Sequence, residues 1–307
     1  MGATFEHEAF FYADEDEFLE GTSSFLREAA EAQEPALAVL SAAKVDALRS
    51  ALVGHSGVIR FANMAEVGSN PARIIPAWRD FADEHRGHAI RGIGEPIWAE
   101  RSPAELVECQ RHESLLNLVF ADRSGFHLLC PYDTGALSDE VLEEAGRSHP
   151  RLRLDGDRRQ SDRCRSLEEV AAPFAQPLPE PQEDVDSMVF QRGTLSTLRH
   201  LVARKARAAN LRARATEDLV LAISEIATNS VVHGGGGGLM RIWQEPDAVV
   251  CEVSDRGCID APLVGRECPP SGQENGYGLW LANQVCDLVQ VRSYGTGSAV
   301  RVHQRTV

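Results

Sequence analysis

No apolar run in this 307-residue chain reaches the about 18 residues that a membrane-spanning helix requires. Its first ten residues, MGATFEHEAF, hold neither a basic n-region nor an apolar h-region. No signal peptide and no membrane are therefore expected, and the chain reads as cytoplasmic. None of the seven cysteines, Cys109, Cys130, Cys164, Cys251, Cys258, Cys268 and Cys286, forms a C-x-x-C pair, and their number is odd. Reduced, mostly buried thiols fit this better than a disulfide framework or a zinc site, although ligands distant in sequence can still converge in space. A G-x-x-x-x-G-K-[ST] loop is also missing. The first strand-to-helix turn is Ser41-Ala42-Ala43-Lys44, which cannot wrap a triphosphate in backbone N–H groups, so Lys44 reads as a plain surface lysine. There is no internal repeat.

The chain does hold enough apolar residues, 43%, for ordinary globular cores, and its length suggests two domains. Its net charge of −15 is uneven: residues 188–307 carry 13 Lys+Arg against 11 Asp+Glu, and residues 1–187 carry 18 against 35. An acidic first part argues against direct contact with nucleic acid while leaving room for a basic protein partner. Between them, residues 156–187 turn Arg/Asp-rich and then proline-rich at Pro173, Pro177, Pro179 and Pro181, which reads as an extended linker. The expected divisions are 4–155, a linker over 156–187, and 188–307.

In the first part, strand-like runs near Phe10–Tyr12, Ala36–Leu40, Val58–Phe61, His88–Ile93 and Phe126–Cys130 alternate with helical patterns. Alternation of this kind predicts an α/β domain with a mainly parallel sheet. On the helix expected over Pro103–Phe120, Glu105, Glu108 and His112 share a face and could ligate a metal, but a solvated helix face explains them more simply. Glu113 and Asn117 stack one turn apart on that helix and read as structural hydrogen-bonders.

The second part is organised around Leu219–Gly238, LVLAISEIATNSVVHGGGGG, an amphipathic helix running into five glycines. Glu225 and Asn229 lie four apart on one face, and a carboxylate above a carboxamide suits a divalent cation with phosphates, Glu also being able to take a proton. Strands follow at Leu239–Trp243 and Val249–Ser254, the latter ending in Asp255-Arg256-Gly257. Gly276-Tyr277-Gly278 then opens an apolar helix, and two strands close the chain. His233 beside the glycines reads as a helix-end residue, and His200 as a helix-face residue.

Two families share these patterns. Residues 4–155 resemble the MEDS sensory domain through His7, NPARIIPAW at Asn70–Trp78, GEPIW at Gly94–Trp98, RSPAELVECQRHESLLN at Arg101–Asn117, LLCPYD at Leu128–Asp133 and His149-Pro150. That resemblance implies a degenerate RecA-like parallel sheet that senses an unidentified small molecule or protein. Residues 188–307 resemble the ATP-binding domain of the GHKL (Bergerat) superfamily, an α+β sandwich. Glu225 and Asn229 match its N box, Asp255 and Gly257 its G1 box, and Gly276 and Gly278 its G2 box. The nearest likeness is to its anti-sigma-factor serine kinases, whose helix reads like Glu225–Gly234.

What this second resemblance implies is specific. Asn229 would hold Mg²⁺ with the ATP phosphates, Asp255 would accept from the adenine amino group, and Gly257 would leave room for the ring. Gly276 and Gly278 would admit the phosphates, residues 258–275 would form a mobile lid, and Glu225 would be the general base. The acceptor would be a serine or threonine of an anti-sigma-factor antagonist, with a sigma factor and a homodimer partner as further associates. The sequence departs from that pattern at Cys258-Ile259, at Tyr277, and at Gly297-Ser298, where Ser298 keeps the hydroxyl. The alternatives are ATP-dependent sequestration without catalysis and a histidine-kinase-like sensor. For the latter, LRHLVARKA around His200 lacks the acid of a phosphoacceptor helix.

Overall fold

The computed structural model describes residues 5–54, 56–154, 156–170, 177–182, 184–269 and 276–306. Pro173 and residues 270–275 of the expected lid lie outside the described residues, as do Thr4 and Asp155 at the expected domain ends. The chain divides into two compact units, the first ending at Val170.

In the first unit the elements are β1 (Glu6–Tyr12), α1 (Glu15–Glu31), β2 (Ala36–Leu40), α2 (Ala42–Ala51), β3 (Ile59–Asn63), α3 (Met64–Val67), α4 (Ile74–Glu84), β4 (Ile90–Gly94), α5 (Pro103–Val119), β5 (Phe126–Asp133), α6 (Asp139–Ser148), β6 (Arg151–Leu154) and β7 (Asp157–Gln160). The sheet runs β3-β2-β4-β5-β1-β6-β7, parallel throughout except for the antiparallel edge strand β7. The expected α/β domain with a parallel sheet is what forms. Continuous burial of β2, ALAVL, follows from helices covering both faces of a parallel sheet. Asp14 caps α1 by accepting from Glu17 N at 2.9 Å, and α5 opens with a Ser102–Glu105 capping box and Pro103 in its first turn. Trp78 fills the space left by Gly92 and Gly94, where a Cβ would stand 2.9 Å from its ring.

Strand β1 begins four residues before the expected strand. Its early part is polar yet buried, which hides it from apolar-run reading: Glu8 is wholly enclosed. His127 Nε2 lies 2.7 Å from its carboxylate, and Arg153 and Arg158 Nε each donate to it at 3.0 Å. Burial alone would raise this carboxyl, but its hydrogen bonds to His127 and Arg153 outweigh that and hold it down at about 2.

The stretch 156–187, expected as an extended linker, is structured on both sides of residues 171–176. Strand β7 pairs with β6, Ser161 Oγ donates to the Gly146 carbonyl at 2.6 Å, and Arg165 pairs with Glu144, so residues 156–170 belong to the first unit. Being exposed, β7 has no buried face and shows no apolar alternation, which is why DRRQ does not read as a strand. In the second unit, Pro179 O accepts from Arg301 Nη2 at 2.8 Å, Glu180 pairs with Arg241 at 2.6 Å, and Leu178 is buried.

The second unit continues with β8 (Asp186–Gln191), α7 (Leu195–Ala208), α8 (Ala213–His233), β9 (Gly237–Gln244), β10 (Ala248–Asp255), α9 (Tyr277–Val285), β11 (Leu288–Tyr294) and β12 (Gly297–Arg305). Its sheet, β11-β12-β10-β9-β8, is antiparallel throughout. The helices cover one face, where Leu219, Ile223 and Ile226 of α8 meet Met240, Cys251, Val253, Val300 and Val302. The result is an α/β sandwich. On the other face Glu252 takes charge-assisted bonds from Arg241 and Arg301. No described helix of the chain is long and apolar enough to cross a membrane.

Candidate functional site

Helix α8 carries the central pair. Its apolar positions point into the core, which fixes the rotation of the helix and leaves Glu225 and Asn229 half-buried on another face. Against that face sits the N-terminus of α9. A Cβ on Gly278 would stand 2.9 Å from Asn229 Nδ2 and 3.3 Å from Glu225 Cβ, so only glycine lets the helix start approach this closely. Gly276 caps α9 with φ +100, a left-handed conformation that also favours glycine. Neither Glu225 nor Asn229 has a side-chain hydrogen-bond partner among the described residues.

A second group forms where β10 meets β12. Asp255 ends β10 and pairs in register with Ser298. Its Oδ1 accepts from Gly257 N at 2.8 Å and from Ser298 Oγ at 2.9 Å, which fixes the plane of the carboxylate. Arg256 N donates to the Gly234 carbonyl at 3.2 Å, docking this turn on the C-terminal end of α8. At 1.5 Å per residue, Asn229 and Gly234 are about 7.5 Å apart along that helix. The seven residues singled out from the sequence thus fall into two clusters strung along α8: Glu225, Asn229, Gly276 and Gly278 in one, Asp255, Gly257 and Ser298 in the other. Such a layout offers phosphate-compatible backbone at one end and a fixed acceptor at the other, which suits an elongated anionic ligand.

After Gly257 the chain is pinned: Ile259 N donates to Ser293 Oγ at 2.8 Å, and Asn283 Nδ2 donates to the Gly265 carbonyl at 2.9 Å. Cys258-Ile259 therefore makes a braced base for the expected lid. A groove of about 490 Å³ lined by Gln191, residues 234–239 and residues 254–256 adjoins Asp255 but reaches neither Glu225 nor Asn229. The candidate site is marked by the geometry of the α8–α9 contact and not by cavity size. His233 and His200 are exposed helix residues, as the sequence suggests.

The first unit departs from two expectations. Lys44 is not a plain surface lysine: its Nζ donates to Glu95 Oε1 at 2.5 Å and to Tyr12 Oη at 2.6 Å, and lies 4.6 Å from the Phe18 ring centre. Burial raises the Glu95 carboxyl, with Lys44 pulling the other way, and burial together with Glu95 drives the Tyr12 phenol far up. The signal was present in the turn position of Lys44 at a strand end, but its partners come from two other segments. Glu105, Glu108 and His112 do not form a solvated face either. All three are buried on a helix that packs on the turn at Pro71–Arg73, and nearby Arg101 Nη2 donates to the Gly68 carbonyl at 2.7 Å. They are not gathered as a metal-ligand set among the described residues.

Comparison with known proteins agrees with both resemblances. The model of the MEthanogen/methylotroph, DcmR Sensory domain (MEDS) matches residues 6–150, and that of the histidine kinase-like ATPase domain matches residues 190–303. No curated protein matches the chain. Among solved structures, the RsbU and RsbW domains of Rv1364c from Mycobacterium tuberculosis align at 18% identity and TM-score 0.32, over 40% of this chain and 32% of that one. The Acinetobacter baumannii histidine kinase AdeS aligns at 10% identity and TM-score 0.24, over 41% of this chain and 70% of that one. The chain thus spans about a third of the length of the first of these structures. It carries a MEDS sensory domain over residues 6–150 and a histidine kinase-like ATPase domain over residues 190–303.

Proposed function

We propose that this chain is a sensory anti-sigma factor whose second domain binds ATP with Mg²⁺ and phosphorylates a serine or threonine of an anti-sigma-factor antagonist. Sigma-factor availability, and with it transcription under stress, would follow the phosphorylation state of that antagonist. One observation carries the reading: a half-buried, unpartnered Glu225 stacked on Asn229 and faced by the glycine-built N-terminus of α9. Neither side chain is committed to a partner among the described residues, so both are available to a ligand that enters against α9.

The chain's residues divide the work. Asp255, with Oδ1 committed to Gly257 N and Ser298 Oγ, presents its other oxygen to an adenine amino group. Gly257 keeps the strand end free of a side chain beside the ring. Backbone N–H groups at Gly276 and Gly278 receive phosphate oxygens at the positive end of α9. Asn229 offers its carboxamide oxygen to the metal, and Glu225 accepts the proton of the attacking hydroxyl. When bound, Mg–ATP supplies the phosphoryl group and the charge neutralisation its transfer needs.

The sigma factor and the antagonist are expected to dock on this domain, which we also propose to dimerise, while the first domain receives a small-molecule or protein signal. An available Glu225 favours transfer over sequestration alone, because sequestration has no use for a base. The test supplies Mg²⁺, ATP labelled at the γ-phosphate and candidate antagonist proteins. Label moving to serine or threonine with the wild type supports the reading. ATP bound without transfer to any antagonist overturns it in favour of ATP-dependent sequestration, and label on histidine in favour of a histidine kinase.

A further inference from the structure

His7, Glu113, Cys130 and His149 come from four separate segments, β1, α5, β5 and the residue after α6, and all four are buried to within one per cent. One ligand-type atom from each lies within 4.8 Å of every other. His7 Nε2 is 3.1 Å from Glu113 Oε2, His149 Nε2 is 3.2 Å from the same oxygen, and Cys130 Sγ is 3.4 Å from His7 Nε2. Ligands about 2.0–2.3 Å from a tetrahedral zinc ion stand about 3.3–3.8 Å apart. The cluster is thus close to the size of a tetrahedral coordination shell.

The surroundings set the tautomers. Asn117 Nδ2 donates to the Ser148 carbonyl at 2.6 Å, which turns its Oδ1 toward His7 Nδ1 at 3.1 Å. His149 Nδ1 donates to the Ala145 carbonyl at 2.8 Å. With both Nδ1 atoms used as donors, both Nε2 lone pairs face the Glu113 carboxylate, acceptor against acceptor. His149 Nε2 and Glu113 Oε1 accordingly make no hydrogen bond, although both are fully buried. Acceptors crowded together in a buried place need a proton or a metal cation between them, and the nearly tetrahedral spacing with the Cys130 sulfur beside them favours the metal.

We propose that these four residues bind one Zn²⁺ ion per chain. Two imidazoles, a thiolate and a carboxylate are the donor set of a borderline cation, whereas Mg²⁺ or Ca²⁺ would take oxygen alone. Four protein ligands leave no open position, so the ion is structural and ties β1 and β5 to α5 and to the end of α6. Asn117 and the Ala145 carbonyl are the outer partners that orient the imidazoles. Binding displaces the Cys130 thiol proton to solvent. The second domain's activity plays no part in this inference.

The experiment uses the full chain without a histidine tag. Elemental analysis of the purified protein is expected to find zinc at one equivalent. Exchange with Co²⁺ should give a thiolate-to-cobalt charge-transfer band with intense tetrahedral d–d bands. Cys130→Ser should abolish the charge-transfer band, while Cys258→Ser, at an exposed cysteine far along the sequence, should leave it. Asn117→Ala should weaken metal affinity roughly 10–100-fold. Folded wild-type protein that holds no stoichiometric zinc and gives no charge-transfer band with Co²⁺ overturns the proposal, and so does a band that survives in Cys130→Ser.

Discussion

In the proposed mechanism Glu225 separates a kinase from a binding protein. As a general base it should contribute roughly 10²–10⁴-fold to transfer. Glu225→Ala is therefore expected to cut the single-turnover transfer rate by at least about 100-fold with ATP affinity little changed. A variant that transfers at the wild-type rate would remove Glu225 from the mechanism. Gly278 is a different test, because its role is space. An alanine there sets a methyl 2.9 Å from Asn229 Nδ2, so Gly278→Ala should weaken ATP binding roughly tenfold or more, about 1.4 kcal/mol, when followed by calorimetry. Equal affinity would mean that the phosphates do not enter between these helices. The helix positions of both residues were legible in the sequence, since spacing of four and a glycine pair at a helix start are local patterns. The pairing of Lys44 with Glu95, and the meeting of His7, Cys130 and His149 with Glu113, were not. Their members lie far apart in the chain, and only the sheet order brings them together.

Among the elements, those with a buried stripe were readable and those without one were not. Strands β9 to β12 fall close to their expected places, because each shows one face to a core, while α5 is placed by its Ser102-Pro103 start although it is buried on more than one face. Edge strand β7 is exposed on both faces and has no such signature. Strand β1 hides for the opposite reason, as its early residues are polar but enclosed. Glu8 shows what that enclosure costs and how it is offset. Its folded carboxyl, held near 2 from an ordinary value of 4.5, adds stability that is fully present above about 4.5 and lost as pH falls toward 2. Glu8→Gln should therefore destabilise the first unit by roughly 2–3 kcal/mol at pH 7, with the gap closing toward pH 2. Unfolding curves taken across that range decide it, and a gap that stays constant with pH would contradict the assignment.

At the scale of the molecule, an acidic part of 18 basic against 35 acidic residues precedes a nearly neutral one of 13 against 11. The two compact units part near that change, at Val170 and Ala171, while the proline-rich stretch beyond it is partly docked on the second unit through Pro179 and Glu180. Composition signalled a division but could not tell a docked segment from a free one, because an Arg–Glu pair and a carbonyl bond leave no periodic trace. For the whole chain the central claim is that Mg–ATP binds along α8, from Asp255 to the N-terminus of α9. The most direct measurement is calorimetric titration of the full chain with ATP in the presence and absence of Mg²⁺, alongside Asp255→Asn and Asn229→Ala. The account predicts one saturable site that weakens without Mg²⁺ and in both variants, the Asn229 variant losing most of its response to Mg²⁺. No binding by the folded wild type, or binding indifferent to both substitutions, would contradict it.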